Sequence, residues 1–223
     1  MSQVILRCGV LLSLFVLAAC GGSPAATRVK QVLDDYTVDE FRVCRHYGCK
    51  QEVRVGLDEA DWARITSQMQ PIATSSAEER DRVRATIATF ELVLGERAGV
   101  AEDLSRAALI SGNTKGQQDC IDEAVNTTVY LTFLERAGLL QYHSVGKPQR
   151  RGYFVDGWPH NTAILVEHGT RIAYVVDSWF HGNGVLPEVV PLELWMSGWK
   201  PEVRKPPVPW DIREAEAGAQ ASD

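Results

Sequence analysis

The chain has 223 residues, 45% of them hydrophobic, and a formal net charge of −6, which suits one domain with a sizeable core. That acidity, with no basic run longer than Arg150-Arg151, argues against nucleic acid as a partner. Past the N-terminus no apolar stretch approaches transmembrane length, so a multi-span membrane protein is excluded as well.

Residues 1–19 read as a signal peptide. Arg7 supplies a short positive region, and Gly9 to Leu17 is an apolar run too short to span a bilayer. It leads into Val16-Leu17-Ala18-Ala19-Cys20, which resembles a bacterial lipobox. That resemblance implies cleavage before Cys20 and lipidation of its thiol; an ordinary secretory signal, which Ala18 and Ala19 also permit, is the alternative. Either way the mature chain is expected outside the cytoplasm, in the cell envelope. Each buried acyl methylene adds about 0.8 kcal/mol of anchoring, so the membrane is an expected partner through the lipid, with the chain facing the periplasm. Gly21 after the lipidated Cys favours the outer membrane. Loss of Arg7 takes the formal charge from −6 to −7. Residues 20–28, small and polar through Gly21-Gly22-Ser23-Pro24-Ala25-Ala26-Thr27, are expected to form a flexible tether.

Residues 29–112 read as a mainly helical N-terminal part. Val29, Val32, Leu33, Tyr36 and Phe41 recur at helical spacing over 29–43, with a break near Thr37-Val38. Cys44 and Cys49 lie close together in Cys44-Arg45-His46-Tyr47-Gly48-Cys49; in an oxidising compartment this favours a local disulfide over a metal site using His46. Glu52–Val55 alternates as a short strand. Asp58 to Met69 reads as a capped helix with Trp62, Ile65 and Met69 on one face. Ser75 or Ser76, followed by Glu78 or Glu79, resembles a capping box. The long helix after it, to about Arg97, buries Val83, Ile87, Phe90 and Leu94, and a short helix is predicted at Glu102–Leu109.

The core of interest spans 113–212. Gln117-Gln118-Asp119-Cys120 opens a helix to about Ala137, carrying Cys120, Ala124, Thr127, Leu131 and Leu134 on one stripe and stopped by Gly138. Cys8 leaves with the signal, Cys20 takes lipid, and Cys44 and Cys49 pair, so Cys120 is the unpaired thiol. It sits in the first helical turn, where free N–H groups and the helix dipole favour a thiolate. Asp119, Asp122 and Glu123 oppose this, unless Asp119 turns onto the amides of residues 121 and 122 as a cap. The competing reading is a buried core cysteine. Four strands are predicted at Leu140–Ser144, Gly152–Val155, Asn161–Glu167 and Arg171–Asp177, then a short helix at Pro191–Trp195, a proline-rich strap over 201–209, and a disordered tail at 213–223. A Cys-bearing helix followed by antiparallel strands is an α+β layer.

His160 and Asp177 meet a register test. A turn at Gly169-Thr170 pairs Thr162 with Asp177 and makes His160 and Asp177 same-face diagonal neighbours. A turn at His168-Gly169 sets them directly opposite, and a three-residue loop puts them on opposite faces. A thiol, a base and a group that orients the base are what nucleophilic catalysis requires, together with donors for the oxyanion. Trp158, Trp179, Trp195 and Trp199 are core anchors or the wall of a cleft; His143, His168 and His181 read as exposed or structural, with a place lining a cleft near Asp177 as the alternative for His181.

Gln118-Asp119-Cys120-Ile121-Asp122-Glu123-Ala124, Pro159-His160-Asn161-Thr162-Ala163-Ile164-Leu165-Val166 and Tyr174-Val175-Val176-Asp177-Ser178-Trp179 together resemble the transglutaminase-like superfamily. The closest likeness is to bacterial transglutaminase-like cysteine proteinases within the papain-like fold, over roughly residues 113–200. The resemblance implies Cys120 as nucleophile, His160 as base and Asp177 as its orienter, without metal or cofactor. Asn113, Gln117 and Gln118 are candidate oxyanion donors, with the Cys120 N–H as a further one. The expected function is an envelope-anchored, monomeric cysteine hydrolase or acyl transferase acting on amide bonds of a peptide or protein through a thioester. A catalytically degenerate member that binds a peptide or envelope partner is the alternative.

Overall fold

The computed structural model describes residues 22–107, 115–152 and 159–202. The predicted signal peptide, Cys20, Asn113, Trp158, residues 153–155 of one expected strand, most of the proline-rich strap and the tail lie outside the described residues. The architecture is mixed α+β, with a two-stranded and a four-stranded antiparallel sheet. Among the described residues, no helix is long and apolar enough to cross a membrane.

The first helix, α1 (Pro24–Val32), corrects the expected tether. Ser23 caps it by accepting from the Ala26 N–H, Pro24 occupies the first turn, and Ala25 is fully buried. Small residues that read as flexible in isolation are here what lets a helix approach Cys44, Cys49, Ala124 and Val125 closely. Helical spacing over 29–43 also overreaches: after a 3-10 turn at Leu33–Asp35 the chain extends, and Phe41 belongs to strand β1 (Phe41–Arg45). That strand pairs with β2 (Gln51–Val55), Phe41 opposite Val55 and Arg45 opposite Gln51. The connecting His46, Tyr47, Gly48 and Cys49 all have positive φ, and a Cys44–Cys49 disulfide closes the loop.

Helix α2 (Glu59–Thr66) starts on Asp58, in a complete capping box with Asp61, and runs into a 3-10 turn ending at Met69. Helix α3 (Ser76–Ala98) starts on Ser75. Half of the expected box is there: Ser75 accepts from the Glu78 N–H, but the Glu78 carboxylate turns to Thr74 instead. Val83, Ile87, Phe90 and Leu94 are buried, and Phe90 stacks on Tyr130 at 4.6 Å. Gly99 ends α3 in the left-handed region (φ 66°). The expected short helix at Glu102–Leu109 is instead a set of turns over its described part.

Helix α4 (Cys120–Arg136) is central. All but its last two residues and Ile121 are buried, as expected of a helix enclosed on every side. One side meets the β1–β2 hairpin and α1, another α3, and a third the large sheet. That sheet runs β3 (His143–Arg151), β4 (His160–Glu167), β5 (Ala173–Asp177) and β6 (Glu188–Pro191) in order, all antiparallel. The expected strand Leu140–Ser144 corrects to the longer edge strand β3; Gly152 of the expected strand Gly152–Val155 lies just past its end. A register shift between Gly146 and Gln149, with Pro148 inside it, hid the continuity, and an edge strand tolerates both. β6 was not foreseen, being four residues long with a terminal proline. Helix α5 (Leu192–Met196) follows it directly.

Alternation along β4 sorts the two faces. Ala163 and Leu165 join the core built on α3 and α4, whereas Ile164 packs with Val175 and Trp195 on the other side. His160 and Thr162 share the face of Ile164, and Asn161 shares that of Ala163.

Candidate active site

Cys120 occupies the first position of α4. The Asp119 carboxylate accepts from the N–H groups of Ile121 and Asp122, and its carbonyl accepts from the Glu123 N–H. The Asp119 N–H in turn goes to Asp122. This cap uses the other N–H groups of the first turn and leaves that of Cys120, beside the thiol, without a partner among the described residues. The acidic neighbours do more than cap. Asp122 also accepts from the Tyr47 and Cys49 N–H groups at 2.8 and 2.5 Å, and Asp119 from Gly48 at 3.0 Å. The left-handed hairpin loop therefore presents a nest of amides to the two carboxylates and fastens the hairpin to the head of α4. Burial and then Asp119 push the Asp122 carboxyl up to about 8, against backbone donors that pull it down.

The approach to α4 is equally built. Gly116 has φ 70°, and a Cβ there would lie 2.7 Å from the Gly99 carbonyl oxygen, so only glycine allows this crossing. Gln117 donates to the Glu102 carbonyl and accepts from the Leu104 N–H. Gln118 donates to the Cys44 carbonyl at 2.8 Å. Both amides are buried and turned into the scaffold, so the expectation of Gln117 or Gln118 as oxyanion donor is corrected: their long-range backbone partners claim the side chains.

The β4–β5 hairpin has the register predicted for a Gly169-Thr170 turn, Ala163 opposite Val176 and Val166 opposite Ala173. The loop itself is longer: the Glu167 N–H bonds to the Ile172 carbonyl and the Arg171 N–H to the Glu167 carbonyl, which leaves four residues in the bend and the register unchanged. Extended one step further, the ladder sets Thr162 opposite Asp177. His160 and Asp177 are thus same-face diagonal neighbours, with His160 Nε2 and Asp177 Oδ2 2.7 Å apart. The same carboxylate oxygen accepts from Trp195 Nε1 at 2.8 Å. A carboxylate only accepts, so Nε2 carries the imidazole proton and Nδ1 presents a lone pair. Nδ1 is buried and has no hydrogen-bond partner among the described residues. Trp179, Phe180 and Trp195 surround the ring at centroid distances of 4.6, 5.3 and 5.4 Å. Of the four tryptophans singled out, Trp179 and Trp195 thus wall the imidazole, and Trp199 packs behind on Phe180. His181 pairs with Glu188 at 2.8 Å and takes no part in it.

The thiol lies beside the start of β4. Cys120 Sγ is 3.9 Å from the Pro159 carbonyl oxygen and 3.7 Å from Asn161 Nδ2, so it touches both residues that flank His160. No thiol–imidazole hydrogen bond joins the two side chains. Burial and then Asp119 push the Cys120 thiol up to about 12, and the Asn161 donors pull it down only in part; in this state the sulfur is protonated. Asn161 was not singled out in the sequence. Its signal is alternation: the residue after a strand-opening His points to the opposite face, where α4 begins. Ser23 fixes its orientation, donating to Asn161 Oδ1 at 2.9 Å and so turning the amide NH2 toward sulfur.

Cys44 and Cys49 are joined, and the nearby Asp122 carboxylate is taken up by amides, so these three side chains do not form a free ligand set. Comparison of the chain with models of known protein families, with curated proteins and with solved structures finds no match.

Proposed function

We propose that this chain is a cysteine hydrolase or acyl transferase of the transglutaminase-like kind, with a papain-like core, held in the envelope by a lipid on Cys20. One observation carries the reading: a buried His160–Asp177 pair whose open ring nitrogen, Nδ1, belongs to the residue whose two chain neighbours the Cys120 thiol touches. Asp177 and the Trp195 indole hold the tautomer. On substrate closure, Nδ1 takes the thiol proton and sulfur attacks the amide carbon. The Cys120 N–H and Asn161 Nδ2 receive the oxyanion. The imidazolium then returns its proton to the departing amine, leaving a thioester. Water, deprotonated by Nδ1, hydrolyses that thioester; an amine acceptor would make the same step a transfer. Contacts too long for hydrogen bonding before substrate arrives are common in thiol hydrolases at rest.

The elevated thiol pKa and the engaged Gln117 and Gln118 favour a second reading, a catalytically silent relative that keeps the groove for binding. Incubation with p-nitrophenyl acetate, followed by intact-mass measurement, separates the two. An acetyl adduct on Cys120, lost in Cys120→Ala and slowed in His160→Ala, supports the enzyme. Absence of any adduct on the folded protein overturns it.

A further inference from the structure

A cleft of about 500 Å³ opens beside His160. His160, Trp179, Phe180 and Met196 line it, and so do three cations, Arg106, Arg151 and Lys200. No Asp or Glu lines it among the described residues, although the whole chain carries a net charge of −6. The size suits a small-molecule or peptide subsite.

Arg106, Arg151 and Lys200 form no ion pair within 4 Å among the described residues, as is also true of Arg45, Arg84 and Arg136; what sets the three apart is that they line one cleft. Arg151 is nonetheless fixed: its guanidinium donates to the Trp195 and Trp199 carbonyls and lies 4.2 Å from the centroid of the Trp195 ring. Arg106 is held as well. Its backbone is left-handed (φ 58°), and the segment is stitched to the cleft wall by Arg106 N–H to the Trp179 carbonyl and by Trp179 Nε1–H to the Ala107 carbonyl, both 2.8 Å. The Arg106 guanidinium lies 5.5 Å from the Phe180 ring centroid. Arg106 and Arg151 thus lie over aromatic rings, with Asp177 acting on Arg151 only at longer range, and a lining of three cations without an ion-paired carboxylate among the described residues suits an external anion.

Position says which part of a substrate this is. Cys120 is not among the residues lining the cleft, so the acyl carbon bonded to sulfur lies outside it. His160 does line it, and His160 is the group that hands a proton to the departing amine. We propose that the cleft binds the amine half of the substrate and selects amides in which that half carries a carboxylate, such as a peptide bond close to a free C-terminus. This assignment rests on the acyl-transfer reading for its orientation, whereas the preference for an anion rests on the cleft alone.

The test uses full-length Cys120→Ala protein, so that nothing is turned over, and a library of N-acetylated tripeptides offered as free acids together with their C-terminal amide twins. Captured peptides are identified by mass spectrometry. Free acids should be enriched at least tenfold over their amide twins at low salt, with the preference falling as salt rises. The exposed pair Arg106→Ala and Lys200→Ala, introduced together and checked for an unchanged melting temperature, should bring the ratio below threefold. Arg151, pinned to two carbonyls, is better probed by Arg151→Lys, which should give an intermediate ratio. Equal enrichment, a preference for amides, or no capture would each overturn the proposal without touching the acetyl-adduct test. A strong, cation-dependent preference in a protein whose Cys120 forms no adduct would keep the anion site and remove only its description as a leaving-group subsite.

Discussion

Two buried histidine–carboxylate pairs sit in this molecule, and they differ in what is left over. His143 Nδ1 meets Glu79 at 2.8 Å, its Nε2 lies 3.2 Å from Arg80, and Glu79 also accepts from the Gln141 and Tyr142 N–H groups. Every strong site on that ring is occupied, and the pair ties α3 to the start of β3. His160 meets Asp177 at nearly the same distance but keeps Nδ1 open, with a thiol, the Cys120 backbone N–H and a cationic cleft around it. The first pair is closed upon itself and stabilises; the second has a lone pair held ready by its surroundings. A satisfied pair supports a fold, and an incompletely satisfied one next to a nucleophile supports chemistry.

The contrast is broken most forcefully by exchanging the consequences of mutation. His160→Ala should lower acyl transfer from an active-ester substrate by about 10²–10⁴-fold per folded molecule, the usual weight of a general base, over and above the stability it loses by stranding the buried Asp177. Glu79→Ala should lose stability alone, costing roughly 3–5 kcal/mol because it strands a buried partner, and leaving the rate per folded molecule unchanged. Activity lost equally in both, at equal stability, would erase the distinction.

Acid sharpens it next. Burial pushes the Glu79 carboxyl up, but the His143 hydrogen bond and the two backbone amides pull it below its ordinary range. A carboxyl lowered on folding contributes stability above its unfolded value, near 4.3, and that contribution is lost as pH falls through the folded value. Urea midpoints between about pH 6 and 3 should therefore drop more steeply for the wild type than for Glu79→Gln. Parallel curves would show that the pair carries no such linkage.

A smaller effect tests the thiol side. Asn161→Ala removes a donor to sulfur and should slow alkylation of Cys120 about tenfold near neutral pH, equivalent to ~1.4 kcal/mol. Ser23→Ala, which only frees the Asn161 amide to turn, should slow it a few-fold. If Ser23→Ala matches wild type while Asn161→Ala does not, the orienting role of Ser23 fails and that of Asn161 stands.

How much of this was legible in the amino-acid sequence depended on the range of the interactions. The head of α4 was readable because Asp119 and the apolar stripe are local, and the cap onto residues 121 and 122 follows from them. Diagonal placement of His160 and Asp177 followed from short-range hairpin arithmetic, which survived even though the bend is two residues longer than expected. What failed was long-range. Pro24-Ala25-Ala26-Thr27 reads as a tether until α4 and Asn161, far along the chain, give it something to pack against. Gln117 and Gln118 looked like free amides because their partners, the carbonyls of Glu102 and Cys44, belong to other segments. The continuity of β3 was hidden by its own bulge at Lys147-Pro148.

The central claim is that His160, held by Asp177, is the base for Cys120, and the pH dependence of Cys120 alkylation by iodoacetamide tests it most directly. With the burial-raised thiol acting alone, the logarithm of the rate climbs by one per pH unit toward about 12. The account predicts, in wild type, an added plateau around neutral pH from sulfur deprotonated by the imidazole, absent in His160→Ala and depressed in Asp177→Asn. Superimposable curves for the three proteins, each rising without a plateau, would contradict it.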